Sequence, residues 1–169
     1  LEGWEERTDA RRGRGVFAKV TRAMDLLRER GAVFGVSITV TKETVDEVTS
    51  DEFIDFLIAK GVTYGWLFHY IPIGRNPNPD LMVTVEQRAY LAERIPYIRQ
   101  HRPIQLADFW NDGELTYGCI AGGRRYLHIT ATGDIEPCAF VHFATDSIEG
   151  KSLLEILRSP VLAAFKKRQ

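Results

Sequence analysis

The residues of this chain best suited to chemistry are its two cysteines, Cys119 and Cys138, in a sequence of 169 residues. Thirteen residues separate Cys119 from Gly133, and four separate Gly133 from Cys138. Tyr126 to Thr130 and Ile135 to Phe140 read as two short strands joined by Ala131-Thr132-Gly133-Asp134, a β-hairpin with glycine in its turn. One thiol then stands just before the first strand and the other late in the second, so folding the ribbon back brings the sulfurs together. Thiolates are soft ligands that suit iron–sulfur clusters or zinc. Two ligands do not complete a cluster site, which usually takes four. The others would come from beyond Gln169, from a partner, or from a non-cysteine group. His128 and His142 flank the hairpin as ligands of that kind or as structural side chains. On spacing alone the cysteines either hold a metal or are two unrelated thiols packed as small hydrophobes.

Composition bounds the rest. Hydrophobic residues make up 44% and charged residues 27%, with a formal net charge of -1. Such a balance gives no reason to expect nucleic acid or an anionic membrane as partner. No apolar run approaches the roughly 20 residues needed to span a bilayer, and no signal peptide is visible, so a cytoplasmic location is expected. Two cysteines are too few for a disulfide scaffold, and in that compartment a pair points to metal. The chain opens on Leu1 rather than Met, which hints at a fragment.

The elements that must position the cysteines can be read from periodicity. Residues 4 to 15 are polar and Arg/Gly-rich and read as a loop. Val16, Val20, Ala23, Met24 and Leu27 then share a helical face, stopped by Gly31. Ala32 to Val40 is a β-branched apolar run of strand length, of the kind covered on both faces. Ser50 caps a helix carrying Phe53, Ile54, Phe56, Leu57 and Ile58, ended by Gly61. Tyr64 to Ile71 is the next strand, and a proline-rich loop, Pro72 to Asp80, leads to a helix with a Thr84/Gln87 capping box. That helix is expected to reach about His101 with a kink or break at Pro96. Ile104 to Ala107 is a short strand. Alternation of helix and strand argues for a parallel α/β sheet or barrel. This part ends near residue 110, and the hairpin module follows over 111–169. A short helix from Ser152, interrupted at Pro160, closes that module, and the basic tail Lys166 to Gln169 is expected to be exposed.

The stretch GCIAGGRRYLHITATGDIEPCAF resembles the opening of the SPASM or twitch module of radical-SAM enzymes: a cysteine, a variable hairpin, a glycine, four residues and a second cysteine within G-D-x-x-P-C. Ser152 to Pro160 resembles the helix that follows there. Leu1-Glu2-Gly3 with Asp9, Arg12-Gly13 and Gly15-Val16-Phe17 is similar to the family's segment after the fourth barrel strand, with Glu2 in place of Asp and Thr8 where His is common. Val36 to Thr41 resembles the fifth strand, with Thr44 where Asn is often found. Tyr70-Ile71-Pro72-Ile73-Gly74-Arg75 resembles the sixth strand and its Y-x-P-x-G exit.

The resemblance implies a partial (β/α) TIM-like barrel, the second half of a radical-SAM barrel over residues 1–110, with an appended β-hairpin module and C-terminal helix. It implies a parent enzyme that binds S-adenosylmethionine to a [4Fe-4S] cluster and forms a 5′-deoxyadenosyl radical for hydrogen abstraction. An auxiliary iron–sulfur cluster is implied at Cys119 and Cys138. The CxxxCxxC motif for the catalytic cluster is absent here, so the chain alone is expected to be inactive. Its implied partners are the missing N-terminal half of the barrel and a reductant such as ferredoxin or flavodoxin. The alternative is a non-catalytic α/β interaction module binding zinc or iron.

Cofactor-side roles follow from strand ends. Ser37 and Thr39 meet polar parts of the cofactor or are satisfied strand-end hydroxyls. Tyr70, Pro72 and Gly74 leave the strand that in the family passes the adenine. Arg12 pairs with the cofactor carboxylate or is solvated among Arg7, Arg11 and Arg14. His69 faces either the barrel interior or the helices. Asp108-Phe109-Trp110 ends the last strand facing substrate, or with Trp110 simply packing. Half a barrel has an unpaired edge and uncovered apolar surface, so self-association through that edge, or loss of order there, is expected. Hydrogen exchange tests this: the 33–40 segment should not be fully protected in a strict monomer.

Overall fold

The computed structural model describes residues 1–74, 76–144 and 146–167. Arg75, Thr145, Arg168, Gln169 and the side chain of Lys167 therefore lie outside the described residues. The chain divides into two compact units, Leu1–Asp112 and Gly113–Gln169. Among the described residues no helix is long and apolar enough to cross a membrane.

The first unit alternates helix and strand. It runs through α1 (Glu5–Arg12), α2 (Val16–Glu29), β1 (Gly35–Val40), α3 (Val45–Val48), α4 (Asp51–Ala59), β2 (Tyr64–His69), α5 (Val85–His101) and β3 (Gln105–Asp108). The strands form one sheet in the order β1-β2-β3, parallel throughout. Val36, Ile38 and Val40 share a face with Leu67 and Leu106, and helical Phe53, Leu57, Leu91, Ile95 and Ile98 complete that core. Burying each such side chain stabilises by about 1.5–3 kcal/mol.

The other face of the sheet differs from the expectation of double cover. Ser37, Tyr64, Trp66 and Gln105 are exposed there. The run AVFGVSITV looks uniformly apolar, yet Ser37 and Thr39 fall on alternate positions and mark the uncovered side. Trp66, Phe68 and Phe109 stack on this side, with Phe68 and Phe109 centroids 5.1 Å apart.

Two further expectations are corrected. Residues 5–12 are a helix, not loop. Its sequence EERTDARR has no apolar stripe, but Glu5 and Glu6 sit in the first turn and Arg11 and Arg12 in the last, complementing the helix dipole. Asp9 then accepts from the Gly15 and Phe17 amides and so caps α2. The second correction is α5, which runs through Pro96 unbroken. The carbonyl that Pro96 leaves without a donor belongs to Ala92, an exposed residue that water can reach, while Leu91, Ile95 and Ile98 stay buried. The Thr84/Gln87 capping box and the Ser50 cap are both formed.

The outer edge of β3 is occupied. Arg99 donates from Nη1 to the Leu106 carbonyl at 3.2 Å and pairs with Asp112, whose Oδ2 accepts from the Asp108 amide at 2.8 Å. On the outer edge of β1, the Leu1 nitrogen donates to the Ser37 carbonyl at 3.3 Å.

His69 falls on the helix-covered face. Its Nε2 lies 3.1 Å from Asp108 Oδ1, both side chains being buried. Asp108 also accepts from the Trp110 and Asn111 amides and from Asn111 Nδ2, so the strand ends and the following turn share one carboxylate.

The second unit contains β4 (His128–Ile129), β5 (Asp134–Glu136), β6 (Asp146–Ser147), α6 (Leu153–Leu157) and α7 (Pro160–Lys167). The strands β4 and β5 form the expected hairpin, shorter than read, with Gly133 at φ 86° in its turn. A third strand, β6, adds to β5. Ser152 and Glu155 form a capping box on α6, and α7 restarts the helix with Pro160 at its first position. Ile135, Ile156 and Leu162 are the buried core.

Asp108→Ala should cost about 3–5 kcal/mol, as expected for breaking a buried pair, read as a lower urea midpoint. Burial pushes the Asp108 pKa up, but the bonds and charge from His69, Trp110 and Asn111 outweigh it and hold the group below its usual value. The depressed folded pKa means the contribution is present above the unfolded value of about 3.9 and is lost as pH falls through the folded value. The stability gap between the native chain and Asp108→Asn should therefore close in acid.

Candidate functional site

The cysteine ribbon is built mainly by backbone bonds, with a side-chain bond from Arg124. Tyr117 and Gly118 adopt positive φ and turn the chain into Cys119. Arg124 then donates from Nη1 to the Cys119 carbonyl at 3.1 Å, pinning the residue from across its own loop. The Arg125 amide donates to the Ile120 carbonyl at 2.9 Å, and Gly123 donates to Tyr126 at 2.9 Å. The amide of Gly122 donates to the Pro137 carbonyl at 2.8 Å, which ties the loop after Cys119 to the residue before Cys138. A tight turn closes behind Cys138, where Val141 donates to its carbonyl at 3.0 Å.

Each sulfur accepts an amide from two residues on: Ala121 to Cys119 Sγ and Phe140 to Cys138 Sγ, both at 3.5 Å. Amide donors of this kind disperse negative charge on a thiolate. Cys138 is buried and Cys119 exposed. The Tyr126 hydroxyl lies 2.9 Å from Cys138 Sγ. Burial, then the bond to Cys138, then the charges of Cys138 and Cys119 push the Tyr126 pKa well up, so the phenol keeps its proton. Tyr126 is a residue that sequence reading missed. The signal was there: counting two residues outward along each strand from the His128–Glu136 pair sets Tyr126 opposite Cys138.

His128 and His142 both turn to Glu136. The Nδ1 of His128 is 2.8 Å and that of His142 is 3.6 Å from Glu136 Oε2. Among the described residues no group of three or more His, Cys, Asp or Glu is arranged to hold a metal ion. The donors on hand for a soft metal are thus two thiols with amide support. Their chemistry fits an iron–sulfur or zinc centre and supplies half of a four-ligand set.

The other sequence-selected residues are in the first unit. Ser37 is exposed and Thr39 half-buried on the uncovered sheet face. Tyr70, Pro72 and Gly74 follow the end of β2, Gly74 at φ 88° with nothing near a Cβ built on it. The Tyr70 hydroxyl accepts from the Asn78 amide at 3.0 Å, and the Arg11 guanidinium lies 5.5 Å from its ring centroid. Arg12 is held by Glu2, its Nε 2.7 Å from Oε1, while Arg11 reaches the same carboxylate at 2.8 Å. Glu2 and Arg11 were not singled out from the sequence. Glu2 is fully buried, and Thr8 fixes its backbone by accepting from the Glu2 amide and donating to the Gly3 carbonyl. Arg12 and Arg11 are thus linked through one acidic side chain and Arg11 lies against Tyr70, whereas among the described residues no bond links Ser37 or Thr39 to them.

Comparison with known proteins agrees with the resemblance read from the sequence. Residues 119–169 match the SPASM family, an iron-sulfur cluster-binding domain. No curated protein matches the chain. Among solved structures, anSMEcpe with bound AdoMet and Kp18Cys peptide superposes with a TM-score of 0.68 at 15% identity, over 98% of this chain and 51% of that one. Streptococcus suis SuiB gives 0.62 at 17% identity, over 89% and 40%. The same protein bound to S-adenosylmethionine gives 0.60 at 17%, over 88% and 39%. The chain therefore spans about half the length or less of the structures it matches. Its mixed α/β fold is similar to the C-terminal part of these radical-SAM SPASM enzymes.

The Gly122 bend sets a test. Gly122 has φ +68°, and a Cβ there would come within 2.7 Å of Phe165 in α7. Gly122→Ala should destabilise the second unit by about 1–3 kcal/mol, seen as selective loss of amide protection over 119–138, with 35–40 unaffected.

Proposed function

We propose that this chain is the cluster-bearing C-terminal part of a radical-SAM enzyme, its first unit the second half of a partial (β/α) barrel and its second an auxiliary iron–sulfur module. The observation that carries this reading is the cysteine hairpin inside a SPASM match, its loop after Cys119 tied to the residue before Cys138 by the Gly122–Pro137 bond. Both cysteines serve as thiolate ligands; the remaining coordination positions are filled from outside this pair, and in the isolated chain a small added thiol takes them. When bound, such a cluster supplies one-electron chemistry. The protein's part is to hold the sulfurs, donate amides to them and bury Cys138.

The first unit is read as the wall of the cofactor cavity. Ser37 and Thr39 line the uncovered sheet face and are assigned to polar parts of S-adenosylmethionine. Tyr70, Pro72 and Gly74 are assigned to the adenine, where an unobstructed glycine permits close backbone approach. Arg12 is assigned to the cofactor carboxylate, with Glu2 fixing its direction. That structures of similar fold were solved with AdoMet or S-adenosylmethionine bound supports a cofactor cavity in this fold. Radical chemistry needs a three-cysteine motif that this sequence does not contain, so the chain acts with a segment supplying that motif and the remaining strands, and with a ferredoxin- or flavodoxin-type reductant. The substrate is left unassigned, since fold does not choose it.

Anaerobic reconstitution with iron, sulfide and a small thiol that completes the coordination should give a brown chain with both elements bound. Cys119→Ala and Cys138→Ala should each abolish that uptake. Uptake of zinc with no sulfide would instead identify a structural metal module.

A further inference from the structure

We propose that Tyr126 is a positioning residue of the metal centre, its phenol donating a hydrogen bond to Cys138 Sγ and thereby raising the reduction potential of the cluster that sulfur holds. This rests on Cys138 being a cluster ligand, as proposed above. In the free thiol either atom can donate across the 2.9 Å contact. A metal-bound thiolate has no proton, so only the phenol can donate there.

The geometry makes the contact deliberate in origin. Tyr126 lies two residues before the His128–Glu136 pair that ends the hairpin, and its hydroxyl reaches Cys138 Sγ at 2.9 Å. Its backbone is fixed by the Gly123 amide on its carbonyl and by its own amide on the Ile120 carbonyl. Cys138 is fixed in turn by the Gly122–Pro137 bond and by Val141. The two sulfurs are consequently unlike: Cys138 is buried and receives an amide and a hydroxyl, while Cys119 is exposed and receives the Ala121 amide.

Hydrogen bonds to ligand sulfur are among the factors that set cluster potential. The reduced cluster carries one more negative charge, places more electron density on sulfur, and gains more from a donor than the oxidised form does. A ring that merely filled space would have no such effect.

The test uses the whole 169-residue chain, reconstituted anaerobically with iron, sulfide and a small thiol that completes the coordination, and titrated with dithionite under electron paramagnetic resonance. Tyr126→Phe keeps the ring and removes the donor. It should load iron as the native chain does and shift to a more negative midpoint, on the order of tenfold less reduced cluster at a fixed potential, or about 59 mV for one electron. If Tyr126→Phe fails to load, 3,5-difluorotyrosine at position 126, a stronger donor of similar shape, should move the midpoint positive. A loaded variant of either kind with the native midpoint overturns this inference alone. A native chain that binds neither iron nor sulfide overturns the ligand assignment, and this inference with it.

Discussion

The bond from the Gly122 amide to the Pro137 carbonyl is the constraint on which the candidate centre depends. Cys119 and Cys138 lie far apart in sequence, and the hairpin alone would leave the first thiol on a free loop. Gly122 closes that loop onto the residue preceding the second thiol. Only a backbone with positive φ makes the approach, and a side chain there would strike Phe165. The α7 helix therefore holds the loop from one side and the hairpin from the other. Tyr126 fills the remaining space with a group that is apolar along its ring and polar at its tip.

The first unit solves a different problem. Its three parallel strands carry one helix-covered face and one open aromatic face, and the strand ends are tied by carboxylates. Asp108 gathers His69 and the turn after β3. Glu2 gathers Arg11 and Arg12, and Arg11 lies against Tyr70. Both carboxylates are nearly inaccessible to water, where an unpaired charge is costly. Each is surrounded by donors, and that requirement orders the segments those donors come from.

The parts of this arrangement that were legible in the sequence are those governed by short-range rules. Capping boxes at Thr84 and Ser152 mark helix starts because the hydroxyl and the third residue are both local. Gly133 marks the hairpin because its φ is demanded by the turn itself. The α1 helix was hidden because it buries only Thr8 and so leaves no apolar period to detect. The two-residue strand β6 is too short to carry a pattern. Pro96 signals a break, but the affected carbonyl faces water. Tyr126 was hidden differently: the pairing that sets it opposite Cys138 could be counted, but only once one cross-strand pair had been fixed. Glu2 and Arg11 could not be found by spacing, since burial of the first is a product of tertiary packing.

The capped edge of β3 gives the sheet a polarity of growth. To extend past β3, a strand would have to displace Arg99 from the Leu106 carbonyl and Asp112 from the Asp108 amide, breaking an ion pair as well. Beside β1 it would displace a single long contact from the Leu1 nitrogen. The two edges thus differ in what an added strand would have to displace, and the β3 edge is the better guarded against templating an unrelated chain.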